Sequence, residues 1–92
     1  MIQSFADKQT EAFYNGKQVR QFRSFSAQAE RRLNVLDSAT TLQDLAGLSS
    51  NRLESLSGDR AGQRSIRINQ QWRICFVWKD DGPHDVEIVD YH

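Results

Sequence analysis

The amino-acid sequence predicts an α+β fold of two layers, in which helices pack on one face of a mostly antiparallel sheet and leave the other face partly open. Two observations predict this class. The first half is rich in helix-forming residues at helical spacing, whereas from Arg52 the period changes to the two-residue alternation of strands. The 92 residues contain no repeat, linker or low-complexity tract, so we expect a single domain over residues 1–92.

Capping residues divide the first half into three predicted helices. Asp7 can cap a first helix that ends before Gly16. Ser24 or Ser26 can cap a second helix in the segment AQAERRLNVLDSA. The apolar face of that second helix consists of Ala29, Leu33 and Leu36. A short third helix is predicted from the Thr-x-x-Asp spacing of residues 41–44, which is typical of a capping box.

The second half predicts strands joined by short turns. In SIRINQQWRICFVW, polar residues 69–71 separate two apolar stretches, which is typical of a hairpin. Because strand side chains alternate between faces, Arg64 and Arg67 are expected on opposite faces of the first strand. In the second strand, one face receives Trp72, Ile74, Phe76 and Trp78, and the other receives Arg73, Cys75 and Val77. Residues 80–83 form a turn, and a last strand begins near Asp85.

Charge is unevenly distributed along a chain whose formal net charge is zero. Residues 52–73 carry five arginines and no lysine against two acids, whereas residues 74–92 carry one lysine against five acids. Arginine presents a planar fork of donors that suits phosphate oxygens. The arginine-rich segment therefore indicates either a solvated charged face that pairs with the acidic tail or a local phosphate-binding surface.

Several classes of protein and of site are not expected. The longest apolar run, residues 74–78, is too short to span a bilayer, and the N-terminus lacks the layout of a signal peptide, so we expect a cytoplasmic protein. The single cysteine, Cys75, cannot form an internal disulfide and fits a reducing compartment. The sequence contains no CxxC, HExxH or glycine-rich phosphate motif, so we expect neither a metal site nor a cofactor.

The chain ends on three side chains that exchange protons or donate hydrogen bonds, Asp90, Tyr91 and His92. Cleavage of an RNA phosphodiester by its own 2′-hydroxyl needs a base, an acid and a cation near phosphorus. His92 suits the acid or the base because imidazole titrates near neutrality, and the negative charge of nearby Asp90 favours the acid. Arg73 suits the cation because its guanidinium can clamp a phosphate. The alternative interpretation is a frayed tail, with Arg73 paired to Asp90 or Glu87 across the sheet.

Two segments of the second half, LESLSGDRAGQRSIRINQQWRICFVW and VEIVDYH, resemble the HigB group of the RelE-type toxins of bacterial toxin–antitoxin systems. The resemblance extends more weakly through AERRLNVLDSATTLQDL. It implies a RelE-like, microbial-ribonuclease-like fold and a ribosome-dependent, metal-independent endoribonuclease that cleaves messenger RNA and inhibits translation and growth. It also implies a HigA-like helix-turn-helix antitoxin, and binding of operator DNA only through the toxin–antitoxin complex.

The resemblance assigns expected roles to individual residues. Four residues match family positions tied to RNA binding or catalysis: Arg73, Asp90, Tyr91 and His92. Two positions depart from the family, because Glu54 and Ser57 stand where well-known members carry a His and a Lys. Glu54 is then the expected general base, whereas Ser57 cannot replace a cation, which predicts a toxin of moderate strength. RNA phosphate binding is expected from Arg60, Arg64 and Arg67.

Two other functions are compatible with the same residues. The first is non-catalytic binding to ribosomal RNA or to ribosome assembly intermediates through the arginine surface. In that case substitution of the arginines abolishes the effect, whereas His92→Gln changes little. The second is inhibition of DNA gyrase by a ParE-like protein, since ParE resembles RelE in fold. The Asp-Tyr-His terminus argues against this second function.

Overall fold

A computed structural model describes residues 1–91 of the chain. Its three α-helices are α1 (Lys8–Tyr14), α2 (Ser26–Ser38) and α3 (Leu42–Ala46). Its four strands are β1 (Glu54–Ser55), β2 (Arg64–Arg67), β3 (Trp72–Lys79) and β4 (Gly82–Asp90). Short 3-10 helices cover Arg20–Phe25, Ser49–Asn51 and Gly58–Arg60. All three strand pairs are antiparallel and follow the order β1-β2-β3-β4, so the predicted α+β class with an antiparallel sheet is confirmed.

The helix boundaries follow the predictions, but only one of the predicted caps forms hydrogen bonds. Asp7 occupies the position before α1 in extended backbone, and its side chain makes no capping bond. The predicted serine cap of α2 is wrong, because the 3-10 helix Arg20–Phe25 leads directly into α2 and leaves Ser26 in helical backbone. The capping box at α3 is confirmed. The Asp44 N–H donates to Thr41 Oγ1 at 3.2 Å, and the Thr41 N–H donates to Asp44 Oδ2 at 3.1 Å.

The register of the sheet sorts its side chains between a covered face and an open face. Residues directly opposite each other on antiparallel strands share a face. Ile66 lies opposite Ile74, and Ile74 lies opposite Ile88, so these three isoleucines share the face that the helices cover. Arg67 lies opposite Arg73 on the open face. Arg64 lies opposite Phe76, on the covered side, which confirms that Arg64 and Arg67 point to opposite faces.

The hydrophobic core lies between α2 and the covered face of the sheet. Its largest fully buried apolar side chains are Phe22, Leu36, Leu45, Ile66, Ile74, Phe76 and Val86. Phe25 stacks on Trp72 with 4.7 Å between ring centroids, which joins the 3-10 helix before α2 to the first residue of β3. Burial of one large apolar side chain contributes about 1.5–3 kcal/mol. This core holds β3 in place, and β3 carries Arg73 on its other face.

The outer edge of β4 is covered by the N-terminal segment. The Val86 N–H donates to the Ser4 carbonyl and the Ala6 N–H donates to the Val86 carbonyl, both at 3.0 Å. Farther along, the Ile88 N–H donates to Thr10 Oγ1 at 3.0 Å, so α1 continues the cover. These bonds hold β4 in register up to the residues that precede the C-terminus. None of the helices in residues 1–91 is long and apolar enough to cross a membrane.

Candidate active site

A groove of about 220 Å³ lies on the open face of the sheet, beside the loop that joins β2 to β3. Its walls consist of Arg52, Glu54, Arg67, Asn69, Gln70, Arg73 and Tyr91. Four of these residues were singled out from the sequence: Glu54, Arg67, Arg73 and Tyr91. They come from three strands and from the end of the described chain, so the antiparallel sheet brings together residues that are far apart in sequence.

Arg73 is the most buried cation of the groove, with 9% of its surface exposed. Its Nε donates to Ser65 Oγ at 2.7 Å, and its Nη2 donates to the Arg52 carbonyl at 2.6 Å. Nη2 also lies 3.4 Å from the Ser65 carbonyl and 3.7 Å from Glu54 Oε1. Burial of a charge is unfavourable unless hydrogen bonds and counter-charges compensate. Here neutral oxygens supply most of that compensation.

The guanidinium of Arg73 keeps donors for a ligand. Its hydrogen bonds to residues 1–91 use Nε and Nη2 and leave Nη1 without a partner there. Glu54, its acidic neighbour, has a side chain that is 56% exposed, and 3.7 Å is longer than a direct hydrogen bond. Solvent screens such a contact. An anion in the groove therefore meets a fixed guanidinium whose charge is only partly offset.

Arg52, whose carbonyl accepts the hydrogen bond from Arg73 Nη2, has an unusual backbone conformation. Arg52 has φ 48° and ψ 51°, the left-handed region that non-glycine residues seldom occupy. The residue before it, Asn51, is fully buried and anchors the turn. Asn51 Oδ1 accepts from Arg32 Nη1 at 2.6 Å, and Asn51 Nδ2 donates to the Leu45 carbonyl at 3.0 Å. These contacts tie the turn to α2 and α3, so the Arg52 carbonyl is held at a fixed place.

The loop at the other wall of the groove is closed by its own hydrogen bonds. Asn69 Oδ1 accepts from the N–H groups of Gln71 and Trp72, each at 2.8 Å. Arg67 Nε donates to the Asn69 carbonyl at 3.1 Å. The Tyr91 N–H donates to the Gln71 carbonyl at 2.9 Å, which brings the end of the described chain against the same loop. These bonds close the wall on this side of the groove, where Tyr91 is 37% exposed.

Glu54 and Ser57, the two positions that depart from the family pattern, lie in different surroundings. Glu54 is in β1 directly opposite Ser65, on the open face, and it lines the groove. Ser57 precedes the 3-10 helix Gly58–Arg60 and is exposed outside the groove walls. Glu54 therefore takes part in the groove, and Ser57 does not.

Three of the other residues singled out from the sequence lie away from the groove walls. Arg60 Nη1 pairs with Glu87 Oε1 at 3.3 Å and with Gln63 Oε1 at 3.0 Å. Arg64 donates to Ser55 Oγ at 2.9 Å. Asp90 lies opposite Trp72, on the covered side, and accepts from Gln71 Nε2 at 2.9 Å. His92, the expected acid, lies outside the described residues.

Sequence reasoning missed three contributors to the groove. Ser65 and the Arg52 carbonyl hold Arg73, and the side chain of Asn69 closes the loop. The Asn69 contribution had a local signal, because Asn before a strand commonly bonds the backbone two residues on. The left-handed conformation of Arg52 had none, since sequence pattern favours glycine there.

Cys75 lies under the open face and takes no part in the groove. It is fully buried opposite Ser65 on β3. Burial raises the pKa of its thiol, because the thiolate would lose hydration. The thiol is therefore a poor nucleophile. No cluster of three or more His, Cys, Asp or Glu side chains that could hold a metal occurs within residues 1–91.

Comparison with known proteins decides the family. Residues 3–92 match the family of RelE-like toxins of the type II toxin–antitoxin system HigB. The chain belongs to the HigB-like toxin family. It is 40% identical over 82 residues to Toxin HigB-1 of Vibrio cholerae serotype O1 (strain ATCC 39315 / El Tor Inaba N16961), which covers 87% of this chain and 86% of the relative. It is 34% identical over 61 residues to Endoribonuclease HigB of Proteus vulgaris, which covers 66% of this chain and 65% of the relative.

Solved structures show the same fold. The YoeB–YefM complex from Staphylococcus aureus contains a chain that matches with a TM-score of 0.60 at 19% identity, over 100% of this chain and 95% of that one. The YoeB dimer from Staphylococcus aureus matches with a TM-score of 0.58 at 19% identity, over 99% and 94%. The predicted HigB-type family and RelE-like fold are confirmed. As a HigB-type toxin of a type II system, the protein has an antitoxin as its partner.

Proposed function

We propose that this HigB-like toxin is an endoribonuclease that cleaves messenger RNA on the ribosome, in the cytoplasm and without a metal ion. Residues 1–92 act as one toxin domain. A HigA-like helix-turn-helix antitoxin neutralises it, and operator DNA is bound only through the toxin–antitoxin complex. Family membership and the relative named Endoribonuclease HigB support this activity. The single observation that carries the proposal is Arg73, a buried guanidinium with an unpartnered Nη1 in an open groove beside a carboxylate.

The reaction uses the nucleophile of the substrate. Glu54 removes the proton from the 2′-hydroxyl, the 2′-oxygen forms a bond to phosphorus, and the bond from phosphorus to the 5′-oxygen breaks. His92 donates a proton to that leaving oxygen. The products are a 2′,3′-cyclic phosphate and a free 5′-hydroxyl, so no water enters this step. General acid and base groups typically contribute about 10²–10⁴-fold each.

Arg73 stabilises the charge that accumulates on the phosphate oxygens. A guanidinium fixed before the substrate arrives needs no reorganisation in the transition state, which is the condition for effective electrostatic stabilisation. Tyr91 lies on the other wall of the groove, against the β2–β3 loop, where its hydroxyl can donate to a phosphate oxygen. Arg67 supplies a second cation to the groove. Binding of RNA phosphate by Arg60 and Arg64, and a supporting role of Asp90, remain predictions.

The position of Ser57 supports a toxin of moderate strength. Removal of one group that stabilises the transition-state charge typically lowers the rate by a factor on the order of 10²–10³. Ser57 supplies no charge and lies outside the groove walls. Arg52 also lines the groove, but the only contact that it makes to Arg73 within residues 1–91 is through its backbone carbonyl.

Mapping of messenger RNA ends in growing cells tests the proposal. Cells express the chain or its His92→Gln variant, and primer extension locates new 5′ ends within translated messages. We expect ribosome-dependent cuts and growth arrest with the wild type, and neither with His92→Gln at equal protein level. His84→Gln is the matched control, because His84 pairs with Asp81 at the distant β3–β4 turn. Cuts in messages that lack a ribosome-binding site would contradict ribosome dependence.

Non-catalytic binding to ribosomal RNA is a second candidate function. The observation that favours it is the absence of a cation at Ser57, together with a groove in which three arginines face one acid. Binding of this kind weakens steeply with salt. It predicts that Arg73→Ala abolishes growth inhibition whereas His92→Gln retains it. Growth inhibition by both wild type and His92→Gln, without cleaved messages, would favour this candidate over the nuclease.

A further inference from the structure

Ser65 is a fully buried polar residue at the centre of the open face, between Glu54 on β1 and Cys75 on β3. We propose that Ser65 is the positioning residue of the cleavage site: its hydroxyl fixes the rotation of the Arg73 guanidinium, so that Nη1 is presented to the scissile phosphate. This inference rests on the proposed nuclease function and assigns the role of a residue that does not itself touch the substrate.

The donors of Arg73 are divided unevenly between protein acceptors and the groove. Nε donates to Ser65 Oγ at 2.7 Å, a length typical of a charge-assisted hydrogen bond from a guanidinium. Nη2 is used by the Arg52 carbonyl at 2.6 Å and approaches the Ser65 carbonyl at 3.4 Å. Two acceptors on adjacent nitrogens fix both the position and the plane of the guanidinium. Nη1 remains, and its donors have no partner within residues 1–91.

The register of β2 and β3 places Ser65 within reach of the Arg73 side chain. Ser65 lies directly opposite Cys75, so Arg73 is its diagonal neighbour across the β2–β3 pair. Diagonal neighbours on one face are within reach of long side chains. Arg73 thus lies back over Ser65 rather than extending into solvent, which agrees with its 9% exposure. Alanine at position 65 leaves Nε buried without an acceptor, and a longer side chain fills the space in which the guanidinium lies.

The Arg52 carbonyl, the other main acceptor of Arg73, is held at a fixed place. The Arg52 carbonyl is placed by a left-handed residue that follows the buried Asn51, which Arg32 and the Leu45 carbonyl hold. The Arg52 carbonyl and the more distant Ser65 carbonyl both bind Nη2, so these contacts alone let the guanidinium rotate about that one nitrogen. The Ser65 hydroxyl supplies the second point, and two points define the direction of Nη1.

Loss of the hydroxyl should slow the chemical step more than it weakens binding. Arg73 keeps its charge, so the affinity for ribosome-bound message changes little. A displacement of about 1 Å of a catalytic group costs on the order of 10²-fold in rate. We therefore expect Ser65→Ala to lower the single-turnover rate constant by roughly 10- to 100-fold at saturating toxin, with the half-saturating concentration changed less than threefold.

The experiment measures two quantities in the full chain. The first is single-turnover cleavage of a message on programmed ribosomes by wild type, Ser65→Ala, Ser65→Thr and Cys75→Ala. Thr keeps the hydroxyl and should restore most of the rate. Cys75→Ala is the matched control, because Cys75 is equally buried, faces Ser65 and makes no hydrogen bond to Arg73. The second is the ¹⁵N relaxation of the Arg73 Nε–H, which reports its order in the free protein.

The expected result is a slow Ser65→Ala, a near-normal Thr variant and control, and loss of Nε–H order in Ser65→Ala alone. An unchanged rate constant or unchanged Nε–H order in Ser65→Ala would overturn the positioning role. If Ser65→Ala does not fold, Ser65→Cys replaces it, since the thiol keeps the shape but is a weak acceptor. Absence of cleavage by the wild type would overturn the nuclease proposal instead, and the Nε–H order then decides the role of Ser65 alone.

Discussion

Two arginines on the open face of the sheet, Arg73 and Arg60, are held in opposite ways. Arg73 is 9% exposed and donates to a hydroxyl and a carbonyl, with Glu54 3.7 Å away. The Arg60 side chain is 31% exposed and pairs with Glu87 at 3.3 Å. An ion pair neutralises a cation, whereas neutral oxygens orient it and leave its charge for a ligand. Arginine content alone therefore does not locate a phosphate site, because the partners of each guanidinium decide whether its charge is available to a ligand.

The same contrast extends to the surroundings of each arginine. The groove around Arg73 also contains Arg52 and Arg67, against the single acid Glu54. The ion pair of Arg60 with Glu87 consists of one cation and one acid in contact. Three arginines and one glutamate give the groove a net charge of about +2, whereas the charges of Arg60 and Glu87 cancel. An RNA phosphate is expected to bind at the groove.

Removal of the proposed base, Glu54, is expected to have the largest effect on the rate of cleavage. Glu54→Gln keeps the size of the side chain and removes its proton affinity. We expect cleavage on programmed ribosomes to slow by about 10²–10⁴-fold, with the affinity for the message unchanged or slightly higher. Asp59→Asn, which removes an exposed acid outside the groove walls, is the matched control and should keep the wild-type rate. Equal rates for Glu54→Gln and wild type would remove Glu54 from the mechanism.

An intermediate effect is expected from the second cation of the groove. Arg67→Ala should weaken binding to a single-stranded RNA and lower the slope of log affinity against log salt by about 0.7, the value for one released counterion. The matched control is Arg20→Ala, which removes an exposed arginine on the helical side of the molecule. Fluorescence anisotropy at several salt concentrations measures both slopes. The same decrease with Arg20→Ala would show that binding is spread over the whole surface.

The smallest effect on RNA affinity is expected when Arg60, like Arg73, no longer has a carboxylate in direct contact. Glu87→Gln removes the counter-charge of Arg60 and leaves an unpaired cation on the open face. Ion pairs of this kind contribute about 0.2–1 kcal/mol to stability, so we expect the free energy of unfolding to fall by no more than that and RNA affinity to rise by up to about fivefold. Asp80→Asn, at the exposed β3–β4 turn, controls for the change in net charge. A gain as large with Asp80→Asn would mean that net charge, not Arg60, is responsible.

The spacing of apolar residues, and the odd or even position of a residue along a strand, were sufficient to predict most of the fold. The change from helical to two-residue spacing located the helices and strands, and strand parity separated Arg64 from Arg67. Parity also placed Arg73 opposite the core, where the structure finds it. The serine cap of α2 failed because a 3-10 helix precedes the α-helix, and the sequence carries no distinct signal for that junction.

The groove was only partly predictable. Resemblance and strand alternation indicated Glu54, Arg67, Arg73 and Tyr91, which the structure brings together. The contacts that orient Arg73 were not predictable, because a diagonal bond to Ser65 and a carbonyl from a left-handed Arg52 depend on register and on tertiary anchoring. The ion pair of Arg60 with Glu87 was likewise not predictable, because it joins residues 27 apart in sequence.

Single-turnover cleavage of a message on programmed ribosomes by Arg73→Ala and by Arg60→Ala shows whether the groove is the active site. Both variants remove one arginine from the same face of the sheet. We predict a loss of about 10²–10³-fold in the rate constant for Arg73→Ala and less than about threefold for Arg60→Ala, whose charge Glu87 already offsets. Equal losses in the two variants, or a near-normal rate for Arg73→Ala in a folded protein, would contradict the assignment of the groove as the active site.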